Sequence, residues 1–170
     1  MKLLRTEPQA ISAALHAQVD TLLRAAFDLT SPYDYGPDRA EVVLVLGDDD
    51  RAVGHAAIYR RAISVGDETV TVGMIGGVAI DPGERRRGHV RTLMAEIHRQ
   101  FAAEALPFSL LFAFVPAVYR SSGYREMTNT TRFRDHDGAW KELVFRGGMV
   151  AELGDRRWPN LPIDLRGPGV

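Results

Sequence analysis

A chain of 170 residues is the length of one domain, since domains peak near roughly 100–150 residues, and 45% hydrophobic with 25% charged residues suits a packed core rather than disorder. The formal net charge of −1 offers no global attraction to nucleic acid or to an anionic membrane. With no cysteine in the chain, disulfides, thiolate metal sites and a Cys nucleophile are excluded together, and a reducing, cytoplasmic setting is expected.

From the amino terminus, Met1 to Pro8 meets charge and proline too early for the apolar core of a secretory signal. Apolar residues at Ile11, Leu15, Val19, Leu22, Leu23 and Phe27 then recur at three- and four-residue steps and predict a helix over Pro8–Phe27. Thr30 to Asp38 is dense in turn formers and reads as a loop, either an acceptor-binding lip or a solvated connector. Three strands follow as a meander, Glu41–Leu46, Ala52–Val65 and Thr69–Ile80, with turns at Gly47–Asp50 and Gly66–Glu68. Gly73, Gly76 and Gly77 weaken the third strand, so they imply a bulge, a close approach by a ligand, or tight packing.

Helical spacing returns over Gly88–Ala105, and Pro107 stops it. Phe108–Phe114 reads as a strand, Pro116–Ser122 as a short helix closed by Gly123, and Tyr124–Phe133 and Trp140–Phe145 as two strands around the Asp135–Gly138 turn. Ala105–Val118, the most apolar stretch, falls short of the ~20 residues of a spanning helix and contains two prolines, so no membrane association is expected. The order predicts one α+β domain over residues 1–155, with an irregular tail, 156–170, packing on it.

The segment richest in chemistry runs from Val78 to Arg91, a buried strand that turns sharply into a helix. The free N–H groups of a helix's first turn favour an anion. Gly88 allows close approach, and Arg85, Arg86, Arg87 and Arg91 surround the spot. Cations at a helix start oppose the dipole unless an anion lies between them, which argues for a ligand; the alternative is a solvated basic turn paired to Glu84 and Asp81.

Arg85-Arg86-Arg87-Gly88-His89-Val90, placed directly after the Val78-Ala79-Ile80 strand, resembles the signature of the GCN5-related N-acetyltransferases (GNAT): Arg or Gln, two residues, Gly, one residue, Gly or Ala. Val90 departs from the small residue preferred there. Tyr119, followed by Gly123 and Tyr124, matches a second family feature, and the likeness spans roughly Val42 to Val144. The resemblance implies a mixed, mostly antiparallel twisted sheet with flanking helices and a splay between the strand ending at Ile80 and the one beginning near Phe108. It implies acetyl-CoA as co-substrate, with the pantetheine arm along Val78, Ala79 and Ile80; His16, His89, His98 and His136 show no metal-ligand spacing, so no metal is expected. The diphosphate would lie on Arg85, Arg86, Arg87, Gly88, His89, Val90 and Arg91, and Tyr119 would protonate the departing thiolate. On spacing alone Tyr119 reads as a packed core aromatic.

Within the superfamily, His55–Arg61 and Gly77–Ile80 look most like the aminoglycoside 2′-N-acetyltransferases, although those enzymes carry a glutamate where this chain has Gly76. The tail, with Trp158-Pro159, Ile163-Asp164 and Gly167-Pro168, is similar to the nodulation N-acyltransferases. Aminolysis needs a neutral amine, so His55 is the candidate base; a buried, hydrogen-bonded His is the alternative. Asp28, Asp34, Tyr35 and Asp164 are candidates to bind a small cationic or amino-sugar-like amine, or else solvated groups. Neither nucleic acid nor a membrane is an expected partner, and a homodimer is an expected assembly. A non-catalytic acyl-CoA-binding module and an N-acyltransferase with a longer donor remain the alternative functions.

Overall fold

The computed structural model describes residues 1–170. Strand β1 (Lys2–Thr6) is an element the sequence pattern does not mark; it exists by pairing antiparallel along the whole of β2 (Glu41–Leu46), from Lys2 opposite Leu46 to Thr6 opposite Val42. The helix expected over Pro8–Phe27 divides: Pro8–Ala10 is a single 3-10 turn, and α1 (Ala13–Phe27) starts afresh at Ser12, whose hydroxyl accepts from the Leu15 N–H at 3.4 Å.

β2 continues into the expected meander with β3 (Ala52–Val65) and β4 (Glu68–Ile80). α1 packs on Val42, Leu44 and Leu46, while α2 (His89–Ala103) covers Val43 and Val45 from the other side with Leu93, Met94, Ile97 and Phe101. Because each face of β2 meets a different helix, the run Val42–Leu46 is apolar without alternation.

The glycines of β4 serve two purposes. A Cβ at Gly73 would lie 2.3 Å from the Phe101 ring, so that glycine is there for packing. Gly77 has φ +58° and sits where β3 advances from His55 to Ala57 while β4 runs back from Ala79 to Gly76, which makes a β-bulge.

β5 (Phe108–Phe112) runs parallel to β4 but pairs with it only from Gly73–Ser109 to Ile75–Leu111. Beyond Ile75 the strands part, and the edge of β4 facing β5 carries no ladder. This is the expected splay. The short helix is α3 (Ala117–Arg120), with Gly123 at φ +87° after it.

Downstream the expectations need correction. Tyr124–Phe133 is not one strand but two, β6 (Arg125–Glu126) and β7 (Thr130–Arg134), separated where the buried Asn129 donates its amide to the Pro159 and Leu161 carbonyls. β7 pairs with β8 (Trp140–Val144), and an unanticipated β9 (Gly148–Glu152) lies antiparallel along β5. The tail is not irregular either. Trp158 is buried edge-on against Phe108 and donates to Asn129 at 2.8 Å, and β10 (Ile163–Pro168) inserts between β3 and β7. Asp164, Arg166, Gly167 and Pro168 hide this strand from any alternation test; its neighbours on both sides impose it.

The sheet runs β6-β9-β5-β4-β3-β10-β7-β8 with β1 and β2 off that path, and only β4–β5 and β7–β10 are parallel. The fold is therefore the expected α+β arrangement, with the gap between β4 and β5 at its centre.

Candidate active site

The gap opens into a cleft of about 1220 Å³. Of the residues lining it, Val78, Val90 and Tyr119 pack with the core under α2, whereas Tyr35, Phe112, Phe145 and Val170 pack with the core on the opposite face, so the cleft is reached from both sides of the sheet.

On the α2 side, Asp81 ends β4 by accepting from the Gly83 N–H and from Arg51, each at 2.8 Å, and these bonds hold its carboxyl below the usual range. Gly88 then opens α2 at φ +83° with no side-chain cap, which leaves the N–H groups of His89, Val90 and Arg91 without intrahelical acceptors. A Cβ at Gly88 would meet nothing within 4 Å, so the glycine supplies left-handed backbone and open space. The buried His89 leaves Nδ1 without a partner, and its Nε2 lies 3.5 Å from Glu84.

Arg85, Arg86 and Arg91 line the cleft here, and none of them forms an ion pair. Arg87 differs from the expectation: its guanidinium turns to Glu84 at 3.0 Å and does not line the cleft. Three unpaired cations and free N–H groups at one helix start make a receptor for a multiply charged anion. The residues present therefore fit the diphosphate of a CoA molecule.

Tyr119 is half-buried on α3, lines the cleft, and packs edge-on against Tyr124 with ring centroids 6.1 Å apart. The Tyr124 hydroxyl is fixed in turn by Ser109 at 2.6 Å and His98 at 2.9 Å, two residues without any marker in the sequence. Burial pushes Tyr119 up to about 12, so it stays protonated at neutral pH, and it is still a far stronger acid than bulk water at about 15.7.

His55 requires a correction. It is fully buried, does not line the cleft, and has both ring nitrogens in use: Nδ1 lies 2.7 Å from the Gly77 carbonyl and Nε2 3.1 Å from the Tyr35 hydroxyl. A carbonyl only accepts, which assigns the proton to Nδ1 and makes Tyr35 the donor to Nε2. Burial lowers the imidazole to about 4, so it is neutral at pH 7. The geometry makes His55 a clamp on the Gly77 bulge and a guide for Tyr35, not a base in contact with the cleft.

Of the acceptor candidates, Asp34 and Tyr35 line the cleft, and Asp34 accepts from the Gly36 N–H at 2.8 Å. Asp28 does not; it is the left-handed cap of α1 at φ 54°. Nor does Asp164, which is held by Arg132 at 2.7 Å and accepts from the Arg166 N–H. The sequence reading missed Arg61, buried and bonded to Asp38 and to the Leu165 and Pro168 carbonyls, which ties the tail to the cleft wall. It also missed the end of that tail. A Cβ at Gly76 would lie 2.9 Å from the Val170 backbone, so the glycine leaves room for the tail to pass over β4.

No group of three or more His, Asp or Glu stands together in a metal-binding arrangement, and no helix is long and apolar enough to cross a membrane.

The family model for an acetyltransferase (GNAT) domain matches residues 9–127. N-acetyltransferase Eis of Mycobacterium tuberculosis is 34% identical over 84 residues, which are 48% of this chain and 21% of the relative, so the chain spans about a fifth of the length of the curated relatives it matches. Among solved structures, the GNAT family N-acetyltransferase YhbS of Escherichia coli in complex with CoA is similar at a TM-score of 0.66 and 16% identity, over 97% of this chain and 90% of that one. Eis1 of Mycobacterium abscessus is similar at a TM-score of 0.59 and 18% identity, over 76% of this chain and 33% of that one. These structural likenesses establish the fold, the family match extends over most of the chain, and the protein belongs to the GNAT acetyltransferase family, whose chemistry is acyl transfer.

Proposed function

We propose that the protein is an acetyl-CoA-dependent N-acetyltransferase that moves the acetyl group to the amine of a small, cationic or amino-sugar-like acceptor by direct attack. One observation carries this reading: the free edge of β4, the anion receptor at Gly88 and the Tyr119 hydroxyl bearer all line a single cleft. When bound, acetyl-CoA supplies the acetyl thioester. The backbone of Val78 and Ile80, with Ala79 between them, pairs with the pantetheine amides as an added strand would. The N–H groups from Gly88 to Arg91, with Arg85 and Arg86, hold the diphosphate.

Tyr119 donates its proton toward the departing sulfur, a role worth roughly 10²–10⁴ in rate. Asp34 and the faces of Tyr33 and Tyr35 receive the amine as its ammonium, which gives a proton to water in the open cleft. The neutral nitrogen then attacks the thioester carbonyl, the C–S bond breaks and the sulfur leaves with the Tyr119 proton, while His55 acts as a positioning residue through its bond to Tyr35.

A longer acyl donor is the second reading. It is favoured by Phe114, 92% exposed, and its neighbours Val115 and Val118, which form an apolar lip on the cleft beside Tyr119. CoA thiol release, measured with donors of increasing chain length over a panel of amines, tests both. Amine-dependent release with acetyl-CoA is the expected result, and a rate that climbs with chain length selects the second reading. Binding of acetyl-CoA without release for any amine would make the protein a non-catalytic module.

A further inference from the structure

Charge on the side of the cleft away from α2 is unevenly matched. Asp38 is taken up by Arg61, and Asp135 by Lys141 and His136, which leaves Asp34 as the carboxylate lining that side without a cationic partner. Arg134 and Arg146 line the same side, and neither forms an ion pair. Arg134 spends only its Nε–H, on the Gly138 carbonyl at 3.3 Å. Arg146 makes no hydrogen bond, yet its backbone is pinned on both sides. Phe145 stacks between Phe112 and Phe133 at 4.6 and 4.8 Å, and the Gly147 carbonyl accepts from the Ala113 N–H at 2.8 Å.

These two guanidinium groups are not an extension of the diphosphate receptor. Arg134 lies in register with Pro168 of β10, and Arg146 follows Phe145, which packs with Val170 on the core beneath the Tyr35 face, while Val78, Val90 and Tyr119 pack on the core under α2. A polycation would therefore meet two unpaired guanidinium groups beside Asp34. A molecule carrying both an amine and an oxyanion would match all three groups, because guanidinium forks pair best with carboxylate or phosphate.

We infer that the acceptor bears an anionic group, a carboxylate or a phosphate, beside its amine, and that Arg134 and Arg146 bind that group while Asp34 faces the amine. This rests on the acetyltransferase reading of the cleft, and it narrows the acceptor class to amino acids, amino phosphates and compounds of that kind.

Two pairs of probes differ only in the anion: β-alanine against β-alaninamide, and 2-aminoethyl phosphate against ethanolamine. Each is titrated calorimetrically into the CoA-saturated protein and assayed for thiol release with acetyl-CoA. The member of at least one pair that carries the anionic group should bind tenfold or more tightly than its partner without it, and the pair that responds tells carboxylate from phosphate. In the Arg134→Gln/Arg146→Gln double variant that advantage should vanish while acetyl-CoA affinity stays as in the wild type. Equal binding within both pairs, or a double variant that loses acetyl-CoA affinity instead, would overturn the inference. An anion preference without thiol release would keep this site and remove the acetyltransferase reading. Thiol release only with the amines that lack an anionic group would do the reverse.

Discussion

On the α2 side of the cleft one stretch of chain supplies a backbone receptor, the free edge of β4 from Gly76 to Ile80 and the N–H groups of His89 to Arg91, beside the side chains of Arg85, Arg86 and Arg91. On the opposite side they are side chains gathered from distant segments: Tyr33 to Asp38, Arg61, Phe133 to His136, Phe145 and Arg146, closed over by Gly169 and Val170. A backbone receptor asks little of the sequence beyond a turn, a left-handed glycine and a helix start. A side-chain receptor is specified only once the whole sheet has brought its parts together. One side is thus suited to a fixed co-substrate, and the other to an acceptor that individual side chains select.

The largest effect that would sharpen this division is on turnover. Tyr119→Phe keeps the ring that packs on Tyr124 and removes the hydroxyl, so kcat should fall roughly 10²-fold while acetyl-CoA affinity holds. Equal turnover would reduce Tyr119 to packing. Next comes Gly88→Val. Nothing lies within 4 Å of the new Cβ, so the fold has room, but a β-branched residue at φ +83° is strained and projects into the receptor. Acetyl-CoA affinity in calorimetry should drop at least tenfold, or about 1.4 kcal/mol. An unchanged constant would mean that the backbone cradle does not bind the co-substrate.

The remaining effect is on stability and leaves ligand affinity aside; it concerns the histidines behind each side, His55 under Tyr35 and His98 under Tyr124. Burial lowers both to about 4, against about 6.5 for an unfolded chain. The unfolded state therefore binds more protons between those values. The stability from keeping each ring neutral, up to about 3 kcal/mol apiece, is complete above pH 6.5 and is lost as pH falls toward 4. The urea midpoint should be lower at pH 5 than at pH 7. His55→Gln should flatten part of that slope, and a flat wild-type profile would contradict the assignment.

The same division explains what could be read in advance. Val78–Arg91 is one continuous segment whose strand, glycine and arginines are adjacent in the chain, and the splay follows from the order of elements around it. Arg87 turns to Glu84 instead of lining the cleft, because sequence cannot say which way one side chain of a basic run points. The opposite side was read poorly. Asp28 and Asp164 are of a suitable type but are spent on a helix cap and on Arg132, while Arg134 ends β7 before one turn, Arg146 lies in the turn between β8 and β9, and neither carries a local marker. The tail strand β10 and strand β1 were missed for a related reason: both owe their conformation to partners far away in the chain. His55 was noticed, yet its hydrogen bond to Gly77 depends on a bulge that only the paired strands reveal.

The central claim is that the co-substrate occupies the backbone-lined side and leaves the other side free for the acceptor. Amide hydrogen exchange with and without acetyl-CoA tests it residue by residue. Protection should appear at Val78 to Ile80 and from Arg85 to Arg91, with Tyr33 to Asp38 and Arg134 to Arg146 unchanged. Protection confined to those two acceptor-side segments, or no protection anywhere at saturating acetyl-CoA, would contradict the account.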